Sequence, residues 1–433
     1  MTKTEYQQRR KTLMKQIGND NIAIIATSPE FPRSKDIFFS FYPNNNFYYL
    51  TGFAEPDAVA ILIPNEINDI FILFNRAHDP LQKIWHGHHE GQNGVIKNFG
   101  ADQAYSIDDL ALQLPKLLKN KKKLFYQFDL FDNIISTNKW QKFLQQQIKT
   151  EITNNKQCCD INPLIHEMRL IKSPAELDLL RKAANINVKA HTYAMRQCKA
   201  GMSEIQLCAE LNYIYGQHNC VEMAYPPIVA GGVNACTLHY LAGEKILSDG
   251  EMVLIDMGQE YQRYTSDVTR TFPVNGTFSM AQKTLYELVL RTQLTIIEAI
   301  KPGVTFNTLQ DLAIKYITNG LITLGILKGD AEQLIATKAY ANFYMHQISH
   351  WLGLDTHDVG SYKIEDKWRT LQPGMVLTVE PGIYIQEHNT EVAKKWHGMG
   401  IRIEDDIIVT EDGYENITAA APKTVAEIEA IMA

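Results

Sequence analysis

Two acidic residues interrupt apolar, strand-like runs in EMVLIDMGQEYQRYTSDVTRTFPV: Asp256 follows Val253-Leu254-Ile255, and Asp267 lies beyond a polar turn region. Two apolar runs flanking a polar turn make a hairpin pattern, which puts Asp256 and Asp267 on neighbouring strands. Glu380 follows an apolar strand in MVLTVEPGIYI and precedes a Pro-Gly turn. In GIRIEDDIIV, Ile401 and Ile403 alternate with Arg402 and Glu404, so Arg402 and Glu404 share one face of a strand. A single carboxylate of this kind is ordinarily a turn, strand-end or solvent-facing residue. Four beside core-forming residues need a common source of positive charge, because a buried carboxylate is costly unless paired or hydrogen-bonded.

Histidines supply the second half of the pattern. His346, His350 and His357 fall within MHQISHWLGLDTHD next to Asp358, and His239 occurs in TLHYLAGE. The His346/His350 spacing could mimic a helical zinc pair, but Gln347 stands where HExxH requires its glutamate, so that motif is absent. Asp256, Asp267, Glu380 and Glu404 carry −4 and two divalent cations carry +4. One neutral histidine then completes a near-neutral cage able to hold a hydroxide. Oxygen-rich ligation with one imidazole suits Mn²⁺ or Co²⁺, while Zn²⁺ binds tightly if offered. Two such metals ~3.5–4 Å apart can share a water, lower its pKa and polarise a carbonyl. The implied chemistry is hydrolysis.

A scaffold must bring these residues together. The 433-residue chain is 45% apolar and 21% charged, with 42 Lys+Arg against 49 Asp+Glu and a net charge of −7. At roughly 100–200 residues per domain this predicts two to three domains with sizeable cores. Mild acidity argues against a nucleic-acid surface. No apolar run approaches the ~18 residues of a membrane span, and the polar opening lacks a signal-peptide pattern, so the expected partners exclude membranes and the expected location is cytoplasmic. Six cysteines without CxxC spacing read as reduced thiols.

The first ~150 residues alternate strand candidates (NIAIIAT, AVAILIP, DIFILFN, KKLFYQF) with amphipathic stretches at Leu110 to Leu118 and Lys139 to Ile148, as in a mixed α/β domain. Ser173-Pro174-Ala175-Glu176 carries an N-cap hydroxyl, a first-turn proline and a capping-box glutamate, and Ser203 with Gln206 opens another helix. The expected domains are residues 1–165 and 166–433. A short echo links Lys199-Ala-Gly201-Met-Ser203 to Lys301-Pro-Gly303-Val-Thr305.

In order, Asp256, Asp267, His350, Glu380 and Glu404, in the contexts LIDMG, SDVTRTFPV, SHWLGLDTHD, VEPGIYI and GIRIEDD, resemble the ligands of the pita-bread metallopeptidases. NNNFYYLTGFAEPDAVAIL, LFNRAHD and IWHG extend the resemblance over nearly the whole chain, toward the bacterial aminopeptidase P group. It implies a curved, mainly antiparallel sheet wrapped by helices and built from two related halves. It further implies that Asp256 chelates one metal, that Asp267 and Glu404 bridge both, and that His350 and Glu380 complete the second. Glu380 resembles the general base; His239, His346 and His357 match positions that contact substrate or steady the tetrahedral intermediate. Arg402 would orient carboxylate ligands. Tyr384 would line the pocket, and Trp85 would reach a neighbouring active site in a dimer or tetramer.

The implied activity is release of the N-terminal residue from Xaa-Pro-Yaa peptides, with manganese as the expected metal. A prolidase, limited to Xaa-Pro dipeptides, shares the ligands. The same fold also serves as a metal-free peptide-binding module, but such proteins lose ligands and all five stand here. Gln347 replaces a glycine usual beside His346, Thr356 replaces a more apolar branched residue before His357, and IWHGHH departs from the arginines of relatives.

Overall fold

The computed structural model describes residues 1–131 and 139–433, which divide into two compact units, Met1–Arg169 and Leu170–Ala433. The first unit is built on a six-stranded mixed sheet. Its strands run in the spatial order Gln103–Ser106, Ile70–Asn75, Val59–Ile63, Ile22–Ala26, Lys123–Tyr126, Gln157–Asp160. Ile22–Ala26 pairs antiparallel with Val59–Ile63 and parallel with Lys123–Tyr126. Every residue of these two central strands is buried, which is why their sequences are continuous apolar runs rather than alternations. The amphipathic stretches form helices that add Leu110, Leu114, Leu118, Leu144 and Ile148 to the same core.

The second unit pairs its strands antiparallel throughout. Its sheets are short: Ile228–Gly231, Met252–Asp256 and Thr269–Pro273; Val376–Val379, Asp405–Val409 and Tyr414–Asn416; and Gly382–Ile385 with Met399–Arg402. Helices Pro174–Gln197, Glu204–Gln217, Met280–Ala299 and Phe306–Thr323 pack their apolar faces against these sheets in one core. Ser173 and Glu176 close the expected capping box, as do Ser203 and Gln206.

The five-residue echo marks equivalent places. Each copy turns between two paired helices, and the backbone bonds repeat: Gly201 N–H donates to Leu247 O as Gly303 N–H does to Leu371 O, both at 2.9 Å. Likewise Leu247 N–H donates to Met202 O and Leu371 N–H to Val304 O, each at 2.8 Å. The two halves therefore repeat one plan, and acidic strand ends from both, Asp256 and Glu380, line one cavity.

The hairpin expected around Asp256 and Asp267 is present but elaborated. Met252–Asp256 pairs with Thr269–Pro273, with Asp256 opposite Thr269, so Asp267 precedes its strand instead of standing on it. A smaller hairpin, Glu260–Tyr261 against Tyr264–Thr265, fills the gap and turns at Gln262 and Arg263, both at positive φ. Gly258 permits the close crossing: a Cβ there would lie 1.8 Å from the Ser266 carbonyl oxygen. Gly258→Ala is expected to cost about 3 kcal/mol of unfolding free energy, measured by urea denaturation, because backbone cannot give way as a flexible side chain does.

Candidate metal centre

Nine of the eleven site residues expected from the sequence line one cavity of about 1110 Å³: Asp256, Asp267, His350, Glu380, Glu404, His239, His346, His357 and Arg402. Strand ends bring in the carboxylates. Asp256 closes Met252–Asp256, Glu380 follows Val376–Val379, and Glu404 follows Met399–Arg402. His346, His350 and His357 come from an irregular segment pinned to the sheet, where His350 N–H donates to Thr378 Oγ1 and Glu380 N–H to Ile348 O, and His239 comes from a separate loop.

Asp267, His350 and Glu404 each offer a ligand atom within 4.8 Å of the others. His350 Nε2 lies 3.5 Å from Asp267, 3.7 Å from Glu380 and 4.0 Å from Glu404. Its Nδ1–H donates to the Trp351 carbonyl at 3.0 Å, which leaves Nε2 facing the carboxylates. Asp256 Oδ2 accepts from Arg402 at 2.6 Å, while Asp256 Oδ1 is buried with no protein partner. Hard oxygen donors, one aimed imidazole and an orphaned carboxylate oxygen fit a divalent metal ion.

The electrostatics carry the same message. Burial raises the Glu404 carboxyl well above its usual range, and Asp267, Glu380 and Asp256 push it further. Burial likewise lifts Glu380 to about 7 against the pull of His350 and Arg402. Burial alone would lower His350, but Asp267 and Glu380 overturn it and hold the imidazole at about 9. His346 is driven the other way, to about 4, by burial and then by Arg402 and His239, so it is a neutral ring at pH 7.

Arg402 joins the parts: besides Asp256 it donates to Tyr384 Oη at 2.8 Å and to Thr269 Oγ1 at 3.2 Å, and Thr269 in turn donates to Glu404. Tyr384 does not line the cavity. It is fully buried behind the wall, and its hydroxyl is engaged by Arg402 and His346. Trp85 lies in the first unit and is 80% exposed. Two supports escaped the sequence reading. Tyr225 lines the cavity and donates to Asp267. Lys172 forms a buried pair with Asp358 at 3.0 Å, bracing the residue after His357. Neither has a local signal, since each partner is distant in sequence.

His350 must shed its proton to ligate through Nε2, so in the metal-free protein affinity for Mn²⁺ should rise with pH up to about 9. Binding at pH 7 should release more than one proton, because the raised Glu380 and Glu404 carboxyls must ionise along with His350, seen by titration calorimetry in buffers of different ionisation enthalpy. An affinity flat between about pH 6 and 8 would contradict the arrangement.

Residues 178–411 match metallopeptidase family M24, and residues 6–126 match the aminopeptidase P N-terminal domain. The chain is 41% identical to Xaa-Pro aminopeptidase of Escherichia coli (strain K12), over 100% of this chain and 98% of that protein. It is 34% identical to human Xaa-Pro aminopeptidase 3, over 100% of this chain and 86% of that one. Among solved structures, Pseudomonas aeruginosa aminopeptidase PepP superposes with a TM-score of 0.93 at 43% identity, covering 100% of this chain and 98% of its own. The zinc-substituted E. coli aminopeptidase P in complex with product gives 0.94 at 40%, with the same coverage. With the predicted fold and ligand motifs in place over its full length, the chain belongs to metallopeptidase family M24 and is a metallo-aminopeptidase.

Proposed function

We propose that this enzyme releases the N-terminal residue from peptides whose second residue is proline, using two divalent ions held by Asp256, Asp267, His350, Glu380 and Glu404. The observation that carries this reading is the convergence of those five side chains in one cavity, in a chain similar throughout to Xaa-Pro aminopeptidases. Asp267 and Glu404 would hold both ions, Asp256 would hold one, and His350 and Glu380 would complete the ligand set of the other. The donor set suits Mn²⁺ best, with Co²⁺ or Zn²⁺ as substitutes.

When bound, the ions acidify a water and polarise the scissile carbonyl. Glu380 takes the proton released as that water adds to the carbonyl carbon, and the carbon–nitrogen bond to proline breaks as a proton reaches the proline nitrogen. His239, His346 and His357 surround the reacting group and steady the oxyanion. His346 is suited to this as a neutral ring whose Nε2 is fixed on Tyr384 Oη at 2.9 Å. Arg402 keeps Asp256 and, through Thr269, Glu404 in place. The free amine of the substrate is anchored among the carboxylates. We further assign the enzyme to the cytoplasm as a homo-oligomer, dimer or tetramer, in which the exposed Trp85 reaches a neighbouring cavity.

Chelation should abolish hydrolysis of an Xaa-Pro-Yaa tripeptide, and Mn²⁺ should restore it more fully than Zn²⁺. Cleavage of Xaa-Pro dipeptides with none of tripeptides would make the enzyme a prolidase instead. Asp267→Ala or Glu404→Ala should lose turnover by at least about 10³-fold while keeping the circular-dichroism spectrum; full activity in either removes the two-ion mechanism. His357→Ala should lower kcat with metal content, read by elemental analysis, unchanged. Loss of bound metal there would make His357 a ligand.

A further inference from the structure

Glu204 is fully buried at the first turn of the helix Glu204–Gln217, and no step above uses it. Its two oxygens divide their work. Oε1 accepts from Gly231 N–H at 2.9 Å and from Asn234 Nδ2 at 2.8 Å. Oε2 accepts from Tyr240 O–H at 2.8 Å and from Gly243 N–H at 3.1 Å. Gly231 and Asn234 lie on the incoming limb of one loop, and Tyr240 and Gly243 on its outgoing limb. The apex between them carries Leu238 and His239, and Leu241 follows on the outgoing limb; all three line the cavity.

We propose that Glu204 is a positioning residue: one buried carboxylate clamps both limbs of the 231–243 loop and so aims His239 into the cavity. The internal duplication sharpens the argument. In the second half Phe306 occupies the equivalent place, because Glu204 N–H donates to Lys245 O as Phe306 N–H donates to Arg369 O. Phe306 packs against Trp351 and Tyr362, so the helix-turn framework is satisfied there by an apolar residue. A carboxylate at this point is thus not required by the framework. It is needed where the chain leaves the strand end at Gly231 for residues 232–243, which lie in no strand, and its four bonds all come from neutral donors of this stretch. A buried carboxylate is costly unless it is hydrogen-bonded on all sides, so the arrangement tolerates little change: an amide at this position keeps one acceptor oxygen and turns two donors toward one limb.

The inference rests on the reading that His239 contacts the substrate, and its test separates the two. Glu204→Gln, isosteric with the native residue, should raise amide hydrogen exchange at Gly231 and Gly243. It should lower kcat on an Xaa-Pro-Yaa peptide by about 10- to 100-fold, the worth of hydrogen bonds to a charged group, with KM and metal content little changed. Tyr240→Phe, which leaves the carboxylate and loses only one outgoing-limb bond, should show a smaller loss of the same kind. In a His239→Ala background Glu204→Gln should cost little more, since the aimed side chain is already gone. Unchanged exchange in Glu204→Gln overturns the clamp. So do losses that multiply in the double variant, or a fall in metal content parallel to activity, which mark a merely structural role. Wild-type turnover in His239→Ala alone would instead remove His239 from the reaction, and the exchange result would still decide what Glu204 does.

Discussion

Mutual repulsion of buried carboxylates is the constraint on which the catalytic unit depends. Asp256, Asp267, Glu380 and Glu404 share one cavity wall with Arg402 and His350 as the cations nearest them. Two positive groups do not balance four negative ones, and the protein registers the deficit in Asp256, Glu380 and Glu404, whose carboxyls are raised by burial and by neighbouring carboxylates, while Asp267, despite burial, is lowered by His350 and Tyr225. A cluster of this kind is destabilising in an empty apoprotein and becomes favourable once divalent charge enters. Stability was therefore given up at the site, and the surrounding framework has to be rigid enough to carry it.

That framework is supplied by a layer of fully satisfied buried charges immediately behind the ligands. Arg270, with no exposed surface, donates to the carbonyls of Thr269, Glu404, Ala421 and Pro422 and to the carboxylate of Asp405. Asp405 also meets Lys423 and Asn416 and, despite burial, is held at about 2 by Arg270 and Lys423. Asp406 accepts from the Ser266 hydroxyl and the Asp267 N–H. The acidic run after Ile403 thus divides its function: Glu404 faces the cavity, while Asp405 and Asp406 lock the segments that carry Glu404 and Asp267. Together with the Lys172–Asp358 pair and the Glu204 clamp, the reacting groups rest on side chains that never touch them.

Much of this was legible in the chain. Asp256, Glu380 and Glu404 betrayed themselves by standing beside apolar runs, where a solvated residue has no reason to be, and the capping boxes at Ser173 and Ser203 were local signals locally obeyed. The histidines were harder. The segment from Phe343 to Tyr362 forms no helix or long strand, so spacing cannot say which ring faces inward, and resemblance alone separated His350 from His346 and His357. Tyr384 was expected at the pocket surface from the resemblance alone, which carries a position but not its depth; here its ring is fully buried and its hydroxyl meets Arg402 and His346. Tyr225, Lys172 and Glu204 act on partners tens to nearly two hundred residues away, and only the fold brings such pairs together.

The central claim is most directly tested by anomalous diffraction from crystals grown with Mn²⁺. Two anomalous peaks about 3.5 Å apart, with Asp267 and Glu404 touching both, are the expected result. A density map with no anomalous peak among these carboxylates, or with its only peaks elsewhere, would contradict the account.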